Sequence, residues 1–255
     1  MASDPRWVTR QFDVALRARS AMAYWQCVND IQEIGGRDAF NVASAMLRSR
    51  RTLRRRLGAD VLGELGYQEY PRPFRRQSAP LLLAALGSER NAAVLASLTK
   101  ALGRLGVRSA IPSLVSLGKH RSAVVRRALA AELPGCTWAS GEDRPDRRVT
   151  QLLIELTRDP IAEVRGWACF SLAGSVADSP DIRTALWDRV RDRHYDTRVD
   201  ALRGLAIRRD RRAHQPLHDA VRVIGTDRFG SWVMDDLVEY AKSVRDRPLL
   251  KALKG

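Results

Sequence analysis

Apolar residues recur three and four positions apart along most of the chain, as in Val125, Leu129 and Leu133 or Ile161, Val164, Ala168 and Leu172. No segment alternates with the period of two that a half-buried strand requires. Spacing of this kind lays an apolar stripe along one side of a helix and leaves the other side polar. The pattern predicts an all-α chain.

The stripes are copies of one phrase. Arg55 is followed at plus four and plus seven by Ala59 and Leu62, Leu95 by Thr99 and Leu102, and Arg126 by Ala130 and Leu133. Arg165 is followed in the same way by Cys169 and Leu172, Arg198 by Leu202 and Leu205, and Gly230 by Met234 and Leu237. The six origins stand 40, 31, 39, 33 and 32 residues apart, the interval of stacked helical hairpins in which each unit covers the apolar face of the next. A second phrase follows, in Ala79-Pro80-Leu81, Ala110-Ile111-Pro112-Ser113-Leu114 and Gln215-Pro216-Leu217, with proline expected in the first turn of a second helix. Leu62-Gly63-Glu64-Leu65-Gly66 and Leu102-Gly103-Arg104-Leu105-Gly106 read as the turns between, where glycine takes the left-handed conformation that ends a helix.

Two phrases, Asp159-Pro160…Val164-Arg165…Leu172 and Leu102-Gly103-x-Leu105-Gly106…Ala110-x-Pro112-x-Leu114, resemble HEAT repeats of the phycobilisome-lyase-like bacterial type over roughly residues 40–240. The resemblance implies an α-solenoid of about six HEAT-like hairpins, an armadillo-type fold. It also implies a polar ladder built from the aspartate that opens a repeat and the arginine six residues later, a pattern matched by Asp159/Arg165 and Asp192/Arg198. Leu95 and Gly230 in the arginine slot, and Ser49 and His120 in the aspartate slot, depart from it. About activity the resemblance is nearly silent, because such stacks serve as scaffolds, lyases, hydroxylases and DNA glycosylases. A single solenoid is expected, with residues 1–36 as N-terminal capping helices ended by Gly35-Gly36, 37–245 as repeats and 246–255 as a C-terminal tail. Phe40 to Leu47 would be the second helix of an irregular first repeat.

Composition narrows the partner more than the fold. The 44 basic and 29 acidic side chains give +15, concentrated as +6 over 37–80 and +6 over 81–140, against −2 over 141–190. Such a surface favours an anionic partner, whether nucleic acid, acidic protein or anionic lipid. Only five basic residues are lysines, a bias that a GC-rich genome also produces. No run reaches the roughly 18 apolar residues of a membrane span, and the start lacks a signal-peptide pattern, so a cytoplasmic, bacterial protein is expected. Cys27, Cys136 and Cys169 form no C-x-x-C and read as reduced thiols.

Catalytic signatures are missing. A HEAT-type di-iron hydroxylase would carry His-Glu dipeptides, whereas the four histidines occur as His120-Arg121, His194-Tyr195, His214-Gln215 and His218-Asp219. His214 and His218 could share a helix face as metal ligands, but Pro216 between them predicts that His214 lies in the preceding turn, with a surface or capping role. There is no nucleophile elbow and no phosphate-binding loop. No catalytic residue, metal or cofactor is expected.

Two insertions are the candidate contact surface. From leucine slot to proline slot the chain takes 10 residues after Leu102 and 11 after Leu205, but 18 from Leu62 to Pro80 and 17 from Leu133 to Thr150. The first insertion holds Tyr67, Tyr70, Arg72, Phe74, Arg75 and Arg76, and the second Arg147 and Arg148; arginine mixed with aromatics is an interface composition. Alternatively Tyr67, Tyr70 and Phe74 fold back over an apolar helix end. The arginine runs at 48–51 with 54–56, and at 208–212, either grip phosphates or form solvated faces. Trp25, Trp167, Trp187 and Trp232 could serve a glycosylase, although Trp167 and Trp232 lie in repeat helices and are expected in the core. The reading is a non-catalytic scaffold for a protein partner, for which the basic surface favours an acidic one, with no membrane. The alternative is a nucleic-acid-binding HEAT protein, of which a DNA glycosylase-like repair enzyme would be the enzymatic form; a chromophore lyase or hydroxylase would need a bound metal or chromophore.

Overall fold

A computed structural model describes residues 5–69, 72–138, 146–224 and 230–254, and among them every element is helical. The chain forms two compact units, Met1–Glu142 and Asp143–Gly255. The first holds α1 (Pro5–Arg17), α2 (Ala21–Ile34), α3 (Gly36–Met46), α4 (Thr52–Glu64), α5 (Arg75–Ser88), α6 (Ala92–Arg104), α7 (Ile111–Val115), α8 (Ala123–Glu132) and α9 (Gly135–Trp138). The second holds α10 (Arg147–Leu156), α11 (Ala162–Ala173), α12 (Pro180–Trp187), α13 (Tyr195–Ile207), α14 (His214–Ile224), α15 (Ser231–Ser243) and α16 (Arg247–Lys254).

The helices that carry the repeated phrase stack in series. In the first unit α6 packs between α4 and α8, and in the second α13 packs between α11 and α15. The plus-four and plus-seven residues are what they bury: Ala59, Leu62, Thr99, Leu102, Ala130, Leu133, Cys169, Leu172, Leu202, Leu205 and Leu237 are inside, and Met234 is half-buried. This serial packing is the α-solenoid expected from the repeat interval. Helices α1 and α2 pack on each other and on α3 and α4, burying Phe12, Val28 and Ile31. Residues 246–255, expected as a tail, instead carry α16, which packs on α15 and α14 through buried Leu249 and Leu253.

Two glycine expectations need correcting. Gly66 and Gly106 do take the left-handed conformation, at φ +69° and +62°. Gly63 and Gly103, however, lie inside α4 and α6, where their bareness lets helices approach: a Cβ on Gly103 would stand 2.2 Å from the Glu132 carbonyl oxygen. Pro80 does not open its helix either. The insertion before it winds into helix from Arg75, leaving Pro80 inside α5, whereas Pro112 does sit in the first turn of α7.

The polar ladder exists with rungs different from those expected. Arg55, Arg126, Arg165 and Arg198 each donate Nη1 to the carbonyls six and five residues earlier, at 2.7 to 3.2 Å. The arginine therefore meets the aspartate of its own repeat through that residue's backbone, as Arg165 does at Asp159 and Arg198 at Asp192. The carboxylate serves the arginine one repeat earlier. Arg165 holds Asp192 through Nε and Nη2, both at 2.8 Å, and Arg55 holds Glu89 at 2.7 and 3.1 Å. Burial of Asp192 pushes its carboxyl up, but Arg165, the His194 amide and Arg189 outweigh that and bring it down to about 2.

Candidate functional site

The insertion at 67–76 is tied to the body of the first unit. Arg72 donates to the Gly63 carbonyl at 2.9 Å and lies 4.8 Å over the Tyr67 ring. Arg75 donates Nε and Nη2 to the carbonyls of Leu105 and Gly106, at 2.7 and 3.0 Å, closing the end of α6. Phe74 stacks on Phe40 with ring centres 5.3 Å apart, and the Arg37 guanidinium covers both rings. Tyr67 and Arg76 are exposed, and Tyr70 lies outside the described residues. Arg147 and Arg148 are exposed at the start of α10, where Arg148 pairs with Asp146 at 2.7 Å; residues 139–145 of the second insertion are outside the described set. Of the eight sequence candidates, Arg72, Phe74 and Arg75 thus have internal partners that hold the loop in place.

The arginine runs separate in the same way. Arg208 is buried and donates to the carbonyls of Gly204, Leu172, Ser175 and Ala177, while Arg212 pairs with Asp210 and Arg209 and Arg211 face solvent. In the first run Arg55 is a ladder rung and Arg56 lies over Tyr24, leaving Arg48, Arg50, Arg51 and Arg54 exposed.

Beside its core stripe each repeat helix carries a second row, and the two units treat that row differently. In the first unit it bears charges that neutralise one another under a lid from α2. Asp60 is buried and accepts the Tyr24 hydroxyl at 2.6 Å. Lys100 lies 3.3 Å from Glu64 and 3.3 Å over the Trp25 ring, and Arg104 also pairs with Glu64. Burial pushes Asp60 and Glu132 up and Lys100 down.

In the second unit the same row lines an open groove of about 430 Å³ along α11, α13 and α15. Glu163, Trp167 and Phe170 reach it from α11, and Tyr195, Asp196 and Asp200 from α13. The Trp167 and Phe170 rings meet edge to face at 5.4 Å. Trp167, expected in the core, is 40% exposed. Helical period explains this: position 167 falls between the buried positions 164, 168 and 172, one step round toward the groove. Val199 and Val233 give the groove an apolar floor.

Asp200 is the distinctive group. It is 8% exposed, lines the groove, and makes no hydrogen bond with any partner found among the described residues. Burial raises its carboxyl to about 7; Arg203 opposes that rise and Asp196 adds to it. Arg203 itself is held by Asp236 at 2.6 Å. A half-buried, aromatic-walled groove with three carboxylates, in a chain of net charge +15, is chemically suited to a positive group.

Sequence reasoning missed this groove, although a signal was present. Glu163 and Asp196 stand two before the arginine slot, and Trp167 and Asp200 two after it, so one register of the repeat supplies four of the lining residues.

His214 is also placed differently from expectation. It is the first residue of α14, not part of a preceding turn. Its ring lies 5.0 Å from that of His218, and both histidines approach Asp246. Pro216 sits within the first turn of that helix, where its missing N–H costs nothing.

No protein-family model matches the chain. The protein YibA of Escherichia coli strain K12 is 26% identical over 229 residues, covering 88% of this chain and 75% of YibA. The X-ray structure of Escherichia coli YibA aligns with a TM-score of 0.68 at 23% identity, over 96% of this chain and 84% of that one. A designed armadillo repeat protein aligns at 0.52 with 13% identity, over 79% of this chain and 98% of its own. The fold is an α-solenoid of the HEAT/armadillo type. That likeness carries no activity with it, since repeat stacks of this kind serve unrelated tasks. Among the described residues no helix is long and apolar enough to cross a membrane.

Proposed function

We propose that the protein is a non-catalytic binding scaffold whose second unit holds a protein partner in the groove on α11, α13 and α15, by a cationic side chain of that partner. Within the HEAT/armadillo type we place it with the phycobilisome-lyase-like bacterial repeats, on the Asp159-Pro160…Val164-Arg165 phrase. The observation that carries the function is Asp200. A largely buried carboxyl that no protein donor satisfies is costly to ionise, and a guanidinium or ammonium entering the groove beside it supplies the missing charge and donors. Trp167, Phe170 and Tyr195 add faces on which an arginine plane or lysine stem packs. Around this anchor the basic surface favours an acidic partner, which speeds encounter more than it adds affinity.

Calorimetric titration with short peptides tests the reading. Peptides with a central arginine or lysine should bind saturably, those with glutamate in its place should not, and Asp200→Asn together with Trp167→Ala should abolish the difference. Equal affinity for both peptide classes, or none for either, would overturn it. DNA affinity that falls steeply with salt and ignores Asp200→Asn would point instead to the exposed arginines of the 48–54 turn and the nucleic-acid alternative.

A further inference from the structure

We infer that His214, His218 and Asp246 form a binding site for a divalent transition metal ion, of which zinc is the chemical type. The two histidines stand four apart on α14, so one helical turn puts both imidazoles on the same face. Asp246 comes from the turn after α15 and is held there from both sides. Its amide donates to the Ala241 carbonyl at 2.9 Å, the preceding Arg245 takes a left-handed φ of +57°, and its Oδ1 caps α16 by accepting the Leu249 amide at 2.9 Å. That leaves Oδ2 pointing at the histidines, 2.6 Å from His218 Nε2 and 3.4 Å from His214 Nδ1. The three ligand atoms all lie within 4.8 Å of one another.

The geometry suits a four-coordinate ion. Ligands about 2.0–2.1 Å from zinc at tetrahedral angles stand roughly 3.3 Å apart. His214 and Asp246 are already at 3.4 Å, the shorter His218 contact has to open by about 0.7 Å, and the two imidazole nitrogens, within 4.8 Å of each other, have to close by about 1.5 Å at most. Two neutral imidazoles with one carboxylate are a usual protein ligand set for zinc, and their nitrogen content favours zinc, nickel or copper over magnesium or calcium. The imidazoles border an open cavity of about 650 Å³, which leaves the fourth position to water or to a group from outside. The two ends of the site belong to different helices, so the ion would clamp α14 to the start of α16. In its absence a hydrogen bond from a histidine to the capping carboxylate holds the same groups together, and this is the competing account of the cluster.

Untagged protein stripped with chelator and titrated with zinc sulfate at pH 7.5 distinguishes the two. The expected result is one equivalent bound with a Kd of about 10 µM or tighter, a rise in Tm, and at least a tenfold weakening, in rough terms, with His214→Ala and with His218→Ala. Cobalt(II) in place of zinc should give the visible absorption of a tetrahedral site. Asp246→Asn and Asp246→Ser both keep an oxygen that can cap α16, and Asp246→Ser also withdraws the ligand atom, so it is the matched variant; it should fold and lose the ion. Absence of saturable binding below about 100 µM, or binding that the histidine double variant leaves unchanged, overturns the proposal.

Discussion

Replacing Asp200 by asparagine separates the cost of this carboxylate from its use. The ordinary value for the group is 3.8, and burial raises it to about 7 in the folded chain. A carboxyl with a raised folded value holds its proton longer in the folded than in the unfolded state. Below about pH 4 both states are protonated and the group is neutral to stability; from there to pH 7 the unfolded chain loses its proton first, so stability falls as pH rises. At about 1.4 kcal/mol per unit of pKa difference, the full cost above pH 7 is about 4 kcal/mol, an upper figure because groove water screens part of it. Asparagine has the same shape and does not titrate. Urea unfolding of both proteins from pH 3.5 to 8 should show them parting by 2 to 4 kcal/mol, in rough terms, in favour of Asp200→Asn as pH rises. Other carboxylates, Asp192 among them, titrate alike in both and cancel in the difference. The variant should be the more stable protein at pH 8 and the poorer binder of basic peptides. Stability profiles that run parallel to within about 0.5 kcal/mol would refute the burial argument and remove the support of the proposed anchor.

Three further outcomes follow from the packing. Arg165→Ala leaves the buried Asp192 carboxylate without its bidentate partner and should cost about 3 kcal/mol by chemical denaturation. It should also flatten the acid limb of the wild-type profile, because a carboxyl held at about 2 contributes stability above its unfolded value of 3.8 that is lost as pH falls toward 2. Arg75→Ala should lower stability by about 2 kcal/mol through the lost bonds to Leu105 and Gly106, while Arg76→Ala, one residue on and exposed, should change it by less than about 0.5 kcal/mol. Gly103→Ala should cost about 3 kcal/mol or more, since its Cβ would meet the Glu132 backbone oxygen and not a side chain that could turn aside; thermal unfolding matching wild type would mean that α6 and α8 separate freely.

The helical stacking was legible before any coordinate. An apolar period near 3.6, repeated at intervals of 31 to 40 residues, has few solutions other than hairpins laid in series, because each stripe is too narrow to be buried alone. The buried leucines at 62, 102, 133, 172, 205 and 237 follow from that template directly. Arginines were the opposite case. Arg75 and Arg208 read in the sequence as charge, and only folding turned them into caps, because they satisfy carbonyls up to 31 and 36 residues away; Arg165 is expected in the ladder, but its carboxylate partner, Asp192, stands 27 residues on. A long flexible side chain reaches whichever acceptor the backbone leaves free, and chain order does not say which that is.

The openness of the groove, and the arrival of Asp246 beside the His214/His218 pair, belong to tertiary structure. The row beside the core stripe recurs in both units, but in one it is covered by Tyr24 and Trp25 from α2, and in the other Trp167 and Asp200 line a groove that no described residue covers. Periodicity states which side of a helix a residue occupies and is silent about whether a neighbour arrives to cover it. Asp246 likewise becomes a partner of His214 and His218 only when α16 folds back on α14. Residues that one helix brings together could be read from spacing; those that meet across helices required the packing of three-dimensional surfaces, whose energy is shared among all the contacts at once.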